Sequence, residues 1–445
     1  MKFILPTLFV LCSFTSALAQ NLYFPPTTNN FWARTSPMSL GWCVGEISDL
    51  YDFLDSTDTK AFIVLKDGRM VLEKYFDGFT RNDTWYWASA GKCLTSVAMG
   101  VAQQKGFLSI EDRSSDYLGQ GWTSAPLFRE NRIKVRNQIS MNTGLNEDST
   151  DCTLPPCLTY RAPAGTRWAY HNAPYTLSIS VIEAATGDPI NDFVAGEIHG
   201  PTGMDGEYRN VNFNRVYYST PRSMARFGLL IQNDGYWDTN PILSDTAYFN
   251  AMLRSSSNEN LSYGYLWWLN GYASHRLPQI PFLIDGPLLP DAPSSTVAAL
   301  GKNGQILNVV KDQGLVLLRM GANPDLNTQL PVATEYNNEI WKRMNDIICP
   351  TGNVQGAVGN YQLTTTGGTD GALVAQPNPV VDEVRLTGAL VQAERYEVEL
   401  WNVQGSLLQS WTNRDRLDLS AWSPGVYYLR VRSGADRAFL RLVKP

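Results

Sequence analysis

The chain has 445 residues, 44% hydrophobic and 18% charged, with 36 Lys+Arg against 42 Asp+Glu for a formal net charge of -6. That balance argues against a nucleic-acid binder, and 13 Trp, 21 Tyr and 17 Phe argue against a disordered chain. At about 150 residues per domain the length predicts two or three domains. The three histidines, His171, His199 and His275, are not spaced as zinc ligands and no CxxC occurs, so the expected chemistry uses neither metal nor cofactor.

Residues 1–19 carry Lys2, an apolar run, and Ala17 and Ala19 at the positions a signal peptidase reads. They predict a secretory signal, too short for a membrane anchor. A lipoprotein reading of Cys12 is weakened by Leu11, where a small residue is expected. No other run is long enough to span a bilayer, so export through the Sec pathway to the periplasm is expected. In an oxidising compartment Cys152 and Cys157 can close a small loop, and Cys43 can meet Cys349 if the ends of the main domain pack together. Cys93 is then left as a small buried hydrophobe.

A main domain over 20–350 begins with two strand-like runs, AFIVLK and RMVLEKYF, joined by the hairpin signal Asp67-Gly68. The next segment gives helical spacing at Leu94, Val97, Ala98, Val101 and Ala102, with Lys105-Gly106 as its stop. A middle of loops and helices follows, then strands through 296–321 and a closing helix in NNEIWKRMNDII. The fold class is therefore α/β (α+β): an antiparallel sheet flanked by helices, with an inserted helical region.

Within that frame Ser89 and Lys92 form a Ser-x-x-Lys. A nucleophilic serine needs a base, and this spacing puts Lys92 one helical turn from Ser89 on the same face. Tyr170-His171-Asn172 lies between a Pro/Gly turn and a helix carrying Pro174 in its first turn, and supplies a second proton-transfer group, Tyr170. Tyr248-Phe249-Asn250 and Tyr336-Asn337-Asn338 share the pattern but lie in polar helix-like stretches expected at the surface. His171 is a rival base, although alternation in an extended segment turns it away from Tyr170 and Asn172. A third element, Lys302-Asn303-Gly304-Gln305, falls at a bend between strands. Gly304 allows close approach of the main chain, the following N–H can donate to an oxyanion, and Lys302 can meet a substrate carboxylate. Lys66-Asp67-Gly68 has the same form and is better explained as a hairpin turn. Trp267-Trp268 can line a cleft, but core packing is the expected role.

From about residue 351 a Gly/Thr-rich linker runs to 375, and 376–445 alternates apolar and polar residues between turns, as a small C-terminal β-sandwich does. The tail resembles the type IX secretion C-terminal sorting domain through PNP at 377–379, NVQG at 402–405 and LDLSAWSPGVYYLRV. A generic carbohydrate-binding or spacer sandwich is the competing reading. The resemblance implies the type IX secretion machinery as a partner, and a secreted or surface-attached product.

The ordered set Ser-x-x-Lys, Tyr-x-Asn, Lys-x-Gly resembles the serine β-lactamase and penicillin-binding-protein superfamily, in its class C, esterase and 6-aminohexanoate-dimer-hydrolase branch. Supporting stretches are GFLSIEDRSSDYLG, ISMNTGL, PAGTRWAYHN, STPRSMARFGLLIQNDG and YGYLWWLNG. The resemblance implies that Ser89 is acylated, that Lys92 is its base and that Tyr170 relays the proton. Asn172 would hold the substrate amide and Lys92, and the N–H groups of Ser89 and Gln305 would form the oxyanion hole. Burial is expected to lower the Lys92 pKa, and Tyr170 is expected to gain anionic character beside Lys92 and Lys302. Lys-Asn-Gly replaces the Lys-Thr-Gly of class C β-lactamases, and no Ser-Asp-Asn is present, which shifts the expected substrate toward a small-molecule or peptide-like amide or ester. The alternatives are a β-lactamase or D-alanyl-D-alanine carboxypeptidase, a catalytically weak penicillin-binding module, or a structural surface protein.

Overall fold

A computed structural model describes residues 22–148, 152–280, 282–324, 332–348, 373–402, 407–434 and 436–444. The expected signal at 1–19 with Cys12, the linker through 372, and Cys349 lie outside the described residues.

After a short helix α1 (Ile47–Ser56), strands β1 (Thr59–Lys66) and β2 (Arg69–Tyr75) form the expected hairpin. Its turn residues Asp67 and Gly68 have φ of 49 and 78, the left-handed pair that matches strand twist. Helix α2 (Gly91–Gln104) follows, then an irregular helical region containing α3 (Asn172–Thr186) and α4 (Pro221–Gln232). The chain returns to the sheet as β3 (Trp268–Leu269), β4 (Val297–Gly301), β5 (Gln305–Val310) and β6 (Leu315–Gly321), and α5 (Thr334–Ile348) closes the domain. Strand order is β2-β1-β6-β5-β4-β3, with every pair antiparallel. The first and last parts of the domain thus meet at the centre of one sheet, as expected.

Strands β5 and β6 are buried along their whole length because helices cover both faces. Leu307 faces α4, where Gly228 comes so close that an added Cβ would stand 2.9 Å from Leu307 Cδ1 and 2.4 Å from Val316 Cγ1. Its neighbour Asn308 points to the opposite face, where it exchanges hydrogen bonds of 2.7 and 2.9 Å with Asn337 of α5. Among the described residues each buried amide is satisfied by the other, so the pair fixes where α5 sits.

Tyr248 and Tyr336 correct the expectation of surface positions. Tyr248 is buried and donates to Ser96 O at 2.7 Å, and Tyr336 is buried with its hydroxyl 2.8 Å from Thr57 Oγ1. Tyr248 lies on a short helix, Thr246–Met252, whose Asn250 faces solvent, whereas on α5 Asn337 is buried together with Tyr336. Trp267 and Trp268 are buried, as expected.

The Cys152–Cys157 disulfide is present and Cys93 is a buried free thiol. Cys43 is disulfide-bonded, and its N–H donates to Ile347 O at 2.7 Å beside the end of α5. The tail contains β7 (Val374–Gln376), β8 (Glu383–Thr387), β9 (Glu397–Asn402), β10 (Leu407–Thr412), β11 (Arg416–Asp418), β12 (Gly425–Ser433) and β13 (Asp436–Lys444). Sheets β7-β8-β11 and β10-β9-β12-β13 enclose a core of their own that includes Leu373, Val384, Leu400 and Leu429. That core begins at Leu373, slightly before the expected boundary at 376.

Candidate active site

The serine is presented by a strained turn. Trp87 is fixed by its N–H to Tyr217 O at 2.8 Å, by its indole N–H to Ser219 Oγ at 2.8 Å, and by an edge-on contact with the Tyr217 ring at 4.9 Å. Ala88 then adopts φ 47, a left-handed conformation uncommon for a residue with a side chain. Ala88–Ala90 form a 3-10 turn leading into α2, so Ser89 precedes the α-helix rather than lying on it. The helical sense continues through the junction, and Lys92 Nζ donates to Ser89 Oγ at 2.9 Å.

Helix α2 is buried from Gly91 to Ala102, and Lys92 is 4% exposed. Its ammonium lies over the Tyr175 ring at 4.3 Å and the Tyr170 ring at 5.2 Å. Desolvation lowers the Lys92 pKa to about 7, and Cys93 opposes the shift. Cys93 itself is inert, because burial pushes its thiol up and Sγ lies 3.0 Å from Leu266 O.

Tyr170 stacks on Trp268 at 6.0 Å and meets Tyr263 edge-on at 6.2 Å. Burial raises its phenol well above the usual value, while the neighbouring Ser89 hydroxyl pulls it back. This direction is opposite to the expected anionic character: the aromatic surround favours the neutral phenol. Asn172 opens α3 instead of continuing the extended segment. Its Oδ1 is buried without a hydrogen-bond partner among the described residues, so the expected contact with Lys92 is not made. His171 is buried, and its N–H donates to Met141 Sδ at 3.5 Å.

The Lys-Asn-Gly-Gln element forms the bend between β4 and β5. Asn303 has φ 62 and Gly304 φ 70. At Gly301 a Cβ would stand 2.4 Å from Trp87 O and 3.0 Å from Ala90 N. Only glycine permits this approach, and it brings the bend against the Ser89 turn. Lys302 is exposed and Gln305 fully buried. The Gln305 side chain donates to Gly321 O at 2.6 Å and accepts from Gly321 N at 3.1 Å, while Asn303 Nδ2 donates to the Tyr86 hydroxyl at 2.8 Å.

Two further residues escaped sequence reasoning. Tyr175, the floor under Lys92, follows Asn172 by three positions on α3 and shares its face, a spacing that could have flagged it. Arg319 interrupts the apolar strand β6, and a charge inside such a run is itself a signal.

Residues 56–323 match the Beta-lactamase family, and residues 375–444 match the secretion system C-terminal sorting domain. The chain belongs to the β-lactamase family. Members of this family are serine hydrolases, and the type IX sorting tail indicates secretion or attachment at the cell surface. A candidate 6-aminohexanoate-dimer hydrolase from Bacillus anthracis has the same fold, with TM-score 0.55 and 17% identity over 74% of this chain and 89% of that chain. So does a candidate β-lactamase from Bacteroides dorei DSM 17855, with TM-score 0.53 and 16% identity over 68% of this chain and 98% of that chain. Penicillin-binding protein 4* of Bacillus subtilis (strain 168) is 25% identical over 154 residues, 31% of this chain and 31% of the relative, so the chain spans about a third of that protein's length. Among the described residues no helix is long and apolar enough to cross a membrane.

Proposed function

We propose that this β-lactamase-family chain cleaves an amide or ester through an acyl-enzyme on Ser89. The observation that carries the reading is Lys92 Nζ at 2.9 Å from Ser89 Oγ, with burial holding the amine near pKa 7. An amine with that pKa accepts the serine proton at neutral pH, which an ordinary lysine at about 10.4 does not. Oγ attacks the substrate carbonyl, and the N–H groups of Ser89 and Gln305 receive the negative oxygen. Tyr170, favoured as the neutral phenol by its aromatic surround, passes a proton to the leaving group and regains one from the Lys92 ammonium, which returns Lys92 to the free amine. Water then releases the acyl group. Asn172 Oδ1, buried and without a partner among the described residues, accepts from the substrate amide N–H. Lys302, exposed at the rim, meets a substrate carboxylate.

Lys-Asn-Gly at 302–304 and the Gly-x-x-Gly-Gln form favour linear amides or esters over β-lactams. The domain runs from 20 to 350, after Sec export and ahead of a linker and sorting tail that addresses the type IX machinery. The local likeness to penicillin-binding protein 4* favours a second reading, a penicillin-binding module that acylates and turns over slowly.

One panel tests both readings on the wild type and Ser89→Ala: a short-chain nitrophenyl ester, a linear aminohexanoate dimer, a chromogenic cephalosporin and a D-Ala-D-Ala peptide. Turnover of ester or linear amide that disappears in the variant is expected, and turnover that persists in Ser89→Ala overturns the reading. A stable penicillin adduct without turnover would favour the second.

A further inference from the structure

Arg319 lies on β6, fully buried, and donates from each of its three nitrogens. Nη1 reaches Asn303 O at 2.7 Å, Gly304 O at 3.1 Å and Ala322 O at 3.1 Å. Nη2 reaches Thr57 O at 2.7 Å and Ala322 O at 3.1 Å, and Nε reaches Thr59 Oγ1 at 3.1 Å. The guanidinium also sits over the Tyr336 ring at 5.0 Å. Its acceptors are carbonyls and a hydroxyl, and it forms no ion pair with a described carboxylate.

One of these bonds has a chemical consequence. Gly304 C=O and Gln305 N–H belong to the same peptide unit, and that unit is trans. In a trans peptide the two groups point in opposite directions, so a donor anchored on the carbonyl aims the N–H away from itself. A full positive charge on the carbonyl oxygen also draws electron density from the amide and strengthens N–H as a donor. The same guanidinium holds the Asn303 carbonyl, so it fixes both peptides of the left-handed bend.

Resting on the proposal that Gln305 N–H is an oxyanion donor, we infer that Arg319 is a positioning residue for the oxyanion hole, orienting and polarising the Gly304–Gln305 peptide from behind. It touches no substrate. Its contribution belongs to the step in which negative charge develops on the substrate oxygen, and not to ground-state binding.

The test uses a fluorophosphonate, which Ser89 Oγ attacks at phosphorus with loss of fluoride, on the full chain. In Arg319→Gln, kinact is expected to fall by about ten- to a hundredfold with KI within about twofold, and the phosphorus NMR resonance of the folded adduct is expected to move toward that of the unfolded one. Arg319→Lys, which keeps the charge but loses the fork, is expected to fall between the two. Should Arg319→Gln not fold, Thr59→Val removes the acceptor of Nε together with the 3.2 Å contact to the Tyr336 hydroxyl, and is expected to shift kinact and the resonance in the same direction by a smaller factor. A folded variant with unchanged kinact and resonance overturns the inference. No phosphonylation of the wild type at Ser89 would instead overturn the reading on which it rests.

Discussion

Two buried cations flank the site, and their environments treat them in opposite ways. Among the described residues Lys92 has one hydrogen-bond acceptor, Ser89 Oγ, and it lies over aromatic rings. Its ammonium is poorly solvated, and the pKa falls to about 7. Arg319 is at least as buried, yet it has an acceptor at every nitrogen. Desolvation lowers its pKa too, but a guanidinium starts so high that the charge stays. The number of acceptors and the intrinsic basicity decide whether a buried cation is a switchable base or a permanent dipole-setting charge.

The largest effect that would break this comparison comes from making Lys92 permanent. Lys92→Arg should lower kcat/KM by at least about a thousandfold and abolish its pH dependence near neutrality, because arginine gives up no proton. In the wild type kcat/KM should rise with pH through about 7, as Lys92 loses its proton. A flat pH–rate profile from 5 to 9 would remove Lys92 as the base.

Tyr170→Phe should cost about a hundredfold in kcat. Because the Tyr170 phenol is raised, no decline in the wild-type profile should arise from its ionisation up to pH 10; a decline lost in Tyr170→Phe would contradict the neutral-donor assignment.

The smallest effect is on stability, where the two cations should separate in sign. The folded Lys92 pKa lies below the unfolded value, so between about 7 and 10.4 the unfolded chain holds the extra proton. Stability is therefore fullest above that window and is lost as pH falls through it. Lys92→Met should stabilise the protein at pH 6 by roughly 1 kcal/mol, whereas Arg319→Met should destabilise it by about 3 kcal/mol, since carbonyls of the bend lose their donor. Urea denaturation of both variants at pH 6 checks this, and two changes of the same sign would erase the distinction.

Much of the frame is legible in the sequence. The Asp67-Gly68 hairpin, the α2 stop at Lys105-Gly106 and the strand alternation of the tail are local patterns, and local patterns fix local structure. Ser89 with Lys92 was legible because a helical turn converts a sequence spacing of three into a distance. Tyr248 and Tyr336 were misread, since neighbouring polar residues say nothing about which face of a helix meets the sheet. The upward direction of the Tyr170 pKa was not legible, because it comes from burial among rings such as Trp268 and Tyr263, more than ninety positions away.

The sequence by itself determined the family, the order of the candidate groups and the presence of an address at the C-terminal end, all of which reside in short ordered motifs. Tertiary structure alone decided that Gly301 brings the Lys-Asn-Gly bend against the Ser89 turn, that aromatic rings strip the solvent from Lys92, and that Arg319 stands behind the Gln305 peptide. Each of these turns on desolvation or on contact between segments distant in the chain, quantities that no residue carries alone.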